Sequence, residues 1–502
     1  MPDRRGALDA ALTSPRASPT FHALMDGQRV ISRRMVIGLP ADGLTPAWER
    51  DFAMFPPAGV ILFARDFRDL DDLRRLITHL RSLARPRRLF FSLDEEGGWV
   101  SQLGAHLVVP PNAALLARGA QSGDLEYVAR VTARRLRALG FEWDFAPVAD
   151  VHSEPDNPVI GPRAYGTTPA GTIAALHEVL RGFRAERVAS CLKHFPGHGD
   201  TRKDSHVAEP VCEVDRATLE ARELATFRAL APDADSVMTA HVRYPALDPV
   251  QPGTYSRAVV QGLLRDTLGF TGICVTDALE MQGAAAGRTP AEAGLAALEA
   301  GCDLLLYAHW HEDVRRARLV IADAVVDGRI DRAAFDASRP RLAAFDAARA
   351  EPSAEELATP LEALTPPDWG ARLTRIIDRG IHVNGEVKAG TRALRIEEPQ
   401  WAGGGPTLAR ELGEAGFNVG GPDSEVQVIV RASRLPLSES ERGELQRRCG
   451  ERPTVLVGMQ NDAFLTEIPQ AALRVSASDF TPLTRKRVAA RLTSELAGAP
   501  RA

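Results

Sequence analysis

The chain has 502 residues and a formal charge of −5, from 61 basic and 66 acidic side chains. That length exceeds one ordinary core, and two domains fit it if one is a parallel barrel of about 250 residues or more. The near balance of charge, with no basic patch carrying interleaved aromatics, excludes a nucleic-acid partner, and no apolar run reaches the roughly 18 residues of a membrane span.

The first residues, MPDRRGALDAALTSPRASPTFH, lack the apolar core of a signal peptide and read as a disordered lead over 1–29. A cytoplasmic location is the default expectation. Eight short apolar runs follow: RMVIGL (34–39), GVILF (59–63), RLFFSL (88–93), WDFAPV (143–148), VASCL (188–192), SVMTA (236–240), GICVT (272–276) and DLLLY (303–307). Helical stripes lie between them, as in Leu70, Leu73, Leu76, Ile77, Leu80 and Leu83. Near-continuous apolar strands alternating with helices mean parallel strands buried on both faces. Eight such units predict an α/β fold, a (β/α)8 barrel of the TIM type over 30–350. The alternative is an open doubly wound sheet. The count of eight, and the absence of GxGxxG after the first strand, favour the barrel.

Polar groups recur just after the strands. DEEGG (94–98) follows the third, and DVHSEPDNPVIGPRAYG (150–166) the fourth. KHFPGHGDTRKDSH (193–206) follows the fifth, His241 and Arg243 the sixth, Asp277 the seventh. Barrel enzymes build their sites at that end of the strands. The fifth loop is the densest. It holds three His, two Asp and two of the chain's four Lys, so Lys193 is not a random surface cation. His194 and His198 have the spacing of helical metal ligands, but Pro196, Gly197 and Gly199 forbid a helix there, and neither a metal nor a cofactor is expected. The five Cys (191, 212, 274, 302, 449) are scattered and read as buried thiols. Residues 351–369, with four Pro and five acidic side chains, read as a linker or strap, with the domain boundary placed over 351–370. Beyond it RALRI (392–396), VQVIVRA (426–432), TVLVGM (454–459) and ALRVSA (472–477) predict four strands of a smaller α/β sandwich domain over 371–502, with no comparable cluster of titratable groups.

The motifs GVILFARDF, LDEEGG, DFAPVADV, NPVIGPRAYG, KHFPGHGDTRKDSH, VMTAHV and TDALEM, in that order, resemble glycoside hydrolase family 3, in its bacterial β-N-acetylglucosaminidase branch. The resemblance implies retaining hydrolysis of a terminal 2-acetamido sugar, with Asp277 as nucleophile and His206, held by Asp204, as acid/base. It implies that Asp94, Arg163, Lys193 and His194 hold the sugar. A His acid/base is unusual, but its pKa near neutrality suits a group that donates and then accepts a proton. Asp204 and His206 are two apart on a Gly-hinged loop, so the Asp can orient one ring nitrogen and leave the other for the substrate. Two positions depart from the family pattern. Trp99 and Gln102 stand where Arg is expected, and Gln102 is the expected replacement ligand for the substrate. The implied partner is a small GlcNAc-containing glycoside, plausibly a peptidoglycan fragment, acted on by a monomer. Phosphorolysis at the same site and a non-catalytic sugar-binding barrel are the other readings.

Overall fold

The computed structural model describes residues 19–202, 210–281, 287–388, 390–401, 405–420 and 424–497. All eight expected barrel strands are present. They are β1 Met35–Ile37, β2 Gly59–Ile61, β3 Phe90–Leu93, β4 Trp143–Asp144, β5 Cys191–Phe195 and β6 Ser236–Thr239. After a hairpin of β7 Arg243–Tyr244 and β8 Asp248–Pro252 come β9 Ile273–Thr276 and β10 Leu305–Tyr307. The pairings are parallel, in a five-stranded sheet β10-β1-β2-β3-β4 and a three-stranded sheet β5-β6-β9. The two seams carry isolated bridges instead of continuous ladders: Trp143↔Ala189 and Val148↔Lys193 on one side, Val275↔Leu304 on the other. Backbone hydrogen bonds still cross both seams, Asp144 N to Ala189 O at 2.9 Å and Thr276 N to Leu304 O at 3.1 Å. Pro147, which has no N–H to give, follows the short β4 and contributes to the break.

Strands β3, β5, β6 and β9 are buried at every position, which is why they read as unbroken apolar runs. The helices between them are stripes. In Leu70–Ala84 the buried face is Leu70, Leu73, Ile77 and Leu80, and Asp69 caps the start by accepting from Asp72 N. Inside the ring, Val36, Ile61, Phe90, Trp143, Met238 and Val275 pack together, and Phe345 closes the cluster at 5.1 Å from Trp143 and 5.2 Å from Phe90. An apolar interior leaves the polar groups only the C-terminal rim.

Three boundaries differ from the sequence reading. Residues 19–29, expected in the disordered lead, belong to the helix Pro19–Ser32. This helix lies so close to the helix Glu312–Val326 that a Cβ at Gly27 would stand 3.1 Å from Val326. The segment 351–370 is a strap tied to the barrel: Arg137 pairs with Glu356 at 2.8 Å, Arg135 donates to Leu364 O at 2.8 Å, and fully buried Trp369 donates to Val108 O at 2.7 Å. Trp369 opens the helix Trp369–Gly380, so the expected boundary at 370 falls inside an element. Among the described residues the second domain has six strands where four were expected, in the order β11-β16-β15-β14-β12-β13. These are β11 His382–Gly385, β12 Ala393–Glu397, β13 Asn418–Val419, β14 Val426–Arg431, β15 Thr454–Gly458 and β16 Leu473–Ser476. The two additions, HVNG and NV, are short and mostly solvent-facing, so they carry no apolar run to read. No helix among the described residues is long and apolar enough to cross a membrane.

Candidate active site

The strand ends open into one cavity of ≈ 630 Å³, and Asp94, Arg163, Lys193, His194 and Asp277 all line it. They come from four places in the ring, Asp94 after β3, Arg163 in the loop after β4, Lys193 and His194 within β5, and Asp277 after β9, so the convergence comes from the ring. Asp204 and His206 lie within 203–209, outside the described residues.

An alternating row of charges forms one wall. Lys193 Nζ stands 2.6 Å from Asp94 Oδ1 and 2.6 Å from Glu96 Oε1, with its side chain 2% exposed. Arg163 donates through Nε and Nη2 to the two oxygens of Glu96, both at 2.8 Å. Asp94 and Glu96 both reach the Lys193 ammonium, so their carboxylates point to the same side. Burial would push Glu96 up, but Arg163 and Lys193 outweigh it and hold the carboxyl at about 2. The same carboxylates hold the Lys193 ammonium above its ordinary value against burial. Lys193 and Arg163 are therefore fixed cations, and Asp94 has one oxygen tied to an ammonium and one left to accept from a ligand.

The histidines of the fifth loop are fixed from β4's side. Asp150, fully buried, accepts from His194 N at 3.1 Å, from His194 Nδ1 at 2.7 Å and from His198 N at 2.6 Å. Burial opposes its ionisation, yet His194 above all keeps Asp150 below the usual range. Fixing Nδ1–H on a carboxylate leaves His194 Nε2 for the cavity. Burial holds His198 down at about 4; it is a neutral ring bonded to Thr201 Oγ1 at 2.8 Å. His194 lies within β5 and His198 in the loop after it, so the metal-like spacing is not on a helix.

Asp277 closes the opposite side. Its Oδ1 accepts from Ala278 N at 2.7 Å. Burial alone would raise its pKa; the His194 and His241 rings, that N–H and Lys193 outweigh it and leave the carboxyl below its ordinary value. His241 donates Nε2–H to Ala278 O at 3.1 Å and accepts at Nδ1 from Thr254 at 2.9 Å, the neutral tautomer, and burial depresses its pKa accordingly. The rim is completed by Phe63 stacked on His309, ring centres 6.0 Å apart, with Glu280 accepting from His309 N at 2.7 Å.

Gln102 is not where the sequence reading put it. Its side chain does not line the cavity; it accepts from Ala64 N at 2.9 Å and donates to Asp94 O at 3.3 Å, binding the loop after β2 to the loop after β3. Trp99 does line the cavity, and Arg434 of the second domain lies over it, 5.9 Å from the ring centre. The second domain therefore reaches the site, which the sequence reading did not anticipate. Glu96 and Asp150 were also missed as partners, although the i, i+2 pair in DEEGG is a readable signal for Glu96. Gly98 is the residue that permits the turn: φ is +56°, and a Cβ would stand 1.8 Å from Asn112 Oδ1.

The sequence model of the glycosyl hydrolase family 3 N-terminal domain matches residues 55–345. The chain belongs to glycosyl hydrolase family 3. It is a glycosidase of that family. A beta-hexosaminidase of Methylococcus capsulatus is 36% identical to it over 302 residues, 59% of this chain and 87% of that protein. Beta-hexosaminidase A of Pseudoalteromonas piscicida is 31% identical over 327 residues, which is 60% of this chain, and the match spans 55% of that longer relative. Among solved structures, a glycoside hydrolase family 3 beta-N-acetylglucosaminidase from Paenibacillus sp. str. FPU-7 superposes with a TM-score of 0.81 at 29% identity, over 94% of this chain and 97% of that one. The family 3 barrel and the smaller domain are thus shared as a pair.

Proposed function

We propose that this family 3 glycosidase removes a terminal, non-reducing β-N-acetylglucosamine from peptidoglycan fragments with retention of configuration. The observation that carries the reading is the convergence of Asp94, Arg163, Lys193, His194 and Asp277 on one cavity. The names of the matched relatives supply the sugar class.

The chemistry follows from what each group can do. Asp277, biased towards its ionised form, attacks the anomeric carbon and forms a glycosyl ester as the bond to the leaving oxygen breaks. His206, oriented by Asp204, gives that oxygen its proton, then takes one from the water that hydrolyses the ester. Lys193 and Arg163 offer donors to the sugar hydroxyls, His194 presents its Nε2, and Asp94 offers an acceptor. A site built to bond a particular hydroxyl rejects the sugar that lacks it, because its own buried groups are then left unpaired.

The test is incubation with p-nitrophenyl N-acetyl-β-glucosaminide and with the β-glucoside, each with and without phosphate, followed by product identification. Release of free β-GlcNAc at a rate indifferent to phosphate is expected. Preference for the glucoside overturns the sugar assignment, and a sugar 1-phosphate product overturns hydrolysis.

A further inference from the structure

A second cavity, of ≈ 590 Å³, lies at the other end of the barrel. Arg29, Arg33, Arg34, Arg85, Arg87 and Arg339 line it, with an apolar wall that includes Met54 and Leu342. Arg33 and Arg34 directly precede β1, and Arg85 and Arg87 precede β3. The cavity therefore sits at the N-terminal ends of the strands, away from the catalytic rim. Its volume is that of a small-molecule site.

None of its lining residues is acidic, in a chain whose formal charge is −5. Three of the arginines have carboxylate partners: Arg29 with Asp26 at 3.0 Å, Arg85 with Glu351 at 2.7 Å and Arg339 with Asp336 at 2.9 Å. Arg33 has only carbonyls, Pro57 O at 3.0 Å and Arg88 O at 2.8 Å. Arg34 donates to Phe335 O at 3.0 Å and to Ser338. Among the described residues no carboxylate pairs with Arg33, Arg34 or Arg87. The richness of the chain in Arg does not explain this. Other buried arginines do meet carboxylates, as Arg81 meets Glu142 and Arg318 meets Asp51 at 2.6 Å, although buried Arg135 bonds Leu364 O, Val108 O and Thr365 instead. Here the cations face one another. Burial first, then Arg87 and Arg88, hold Arg33 below its ordinary value against the pull of Asp346, and burial, with Arg339 and Arg341, holds Arg34 at about 10 against the pull of Asp303 and Asp336, neither of which bonds its guanidinium through a carboxylate oxygen.

Several like charges around a concavity oppose folding unless something uses them. Guanidinium forks match oxyanions, and three forks without carboxylates call for an anion of more than one charge. Met54, half exposed at 50%, gives a non-ionic portion a surface to lie on. We propose that this groove binds a small phosphorylated molecule, a di- or polyanionic phosphate ester whose apolar part rests on Met54 and Leu342. The concave shape selects a soluble ligand over a lipid headgroup.

Inorganic pyrophosphate is the probe, titrated into the full chain by calorimetry and by thermal melting, against sodium chloride at matched ionic strength. Pyrophosphate should raise the melting temperature where chloride does not. The exposed substitution R87E should weaken pyrophosphate binding by about tenfold or more, and R85E/R87E should abolish it. R216E, at an exposed arginine on another helix, should leave it unchanged. Hydrolytic activity should stay at the wild-type level in all three, and R87Q replaces R87E if the latter fails to fold. The proposal is overturned if pyrophosphate acts no more strongly than matched salt, or if R85E/R87E binds it as wild type does. Citrate binding as tightly as pyrophosphate overturns the phosphate class. Binding to phosphatidic acid vesicles without binding to pyrophosphate overturns the soluble ligand.

Discussion

Glu96 offers the most quantitative test of the charged wall. Its side chain is 5% exposed, and its carboxyl is held at about 2 instead of 4.5. A difference of about 2.5 pH units corresponds to roughly 3 kcal/mol of stability, at about 1.36 kcal/mol per unit. Because the folded value is depressed, that stability is present above the unfolded value of 4.5 and is lost as pH falls through about 2. Glu96→Gln keeps the shape and removes the charge. It leaves Lys193 and Arg163 short of a counter-charge in a buried place, for which a loss of about 3–5 kcal/mol is the usual scale. In urea unfolding at pH 7, followed by tryptophan fluorescence, Glu96→Gln should therefore be about 3–5 kcal/mol less stable than wild type. By pH 3 the wild type has lost roughly 2 kcal/mol of its advantage, so the gap should narrow by that amount. A loss below about 1 kcal/mol at pH 7, or a gap that stays constant with pH, would refute the picture of Glu96 as the shared anion of two fixed cations.

Asp277→Asn should lower turnover at least about 10³-fold, the scale for losing a covalent path; turnover within tenfold of wild type removes the nucleophile assignment. His206→Ala should cripple hydrolysis of a natural disaccharide far more than that of an activated aryl glycoside, because only a poor leaving group needs the proton. Equal losses on both substrates would make His206 a binding residue. Arg434→Ala, at the mouth over Trp99, should raise KM for a disaccharide about two- to fivefold and leave the aryl glycoside nearly unchanged, and the opposite pattern would take Arg434 out of the leaving-group side. Gln102→Ala should destabilise the protein by about 1 kcal/mol while changing KM less than twofold, since its amide bonds backbone and does not line the cavity; a large KM effect would restore it as a sugar ligand.

The eight barrel strands were legible because a parallel strand buried on both faces has to be an apolar run, and each run from RMVIGL to DLLLY meets that demand. The rim positions were legible for the same reason, as polar residues placed directly after such runs. What the sequence did not disclose are contacts whose partners lie far apart in the chain. Lys193 reaches Glu96 across 97 positions and Asp150 reaches His194 across 44, and neither spacing carries a period. Gln102 was misplaced because the family pattern names a position, while the side chain's direction is set by Ala64 N, on a different loop. The helix Pro19–Ser32 was hidden by polar neighbours; its helicity rests on a face that exists only once Glu312–Val326 is beside it.

The second domain carries no catalytic cluster in its sequence, yet it holds the wall that departs from the family pattern. Asn112 is the junction. Its N donates to Asp479 Oδ1 at 3.0 Å and its Nδ2 to Ser478 O at 2.9 Å, while its Oδ1 accepts from Trp99 N at 2.9 Å. One buried amide thus ties the second domain to the DEEGG turn. The close approach of Gly98 to the same amide leaves the turn no room to drift. Asp94 and Glu96 lie on that turn's first residues, so the geometry of the charged wall and the position of the second domain are not independent. Arg434 then comes over the other face of the linkage, at Trp99. Trp99 presents an aromatic surface to the cavity, and the cation beside that surface comes from the smaller domain. The barrel thus supplies Asp94, Arg163, Lys193, His194 and Asp277 to the cavity, and the smaller domain supplies Arg434 over its Trp99 wall.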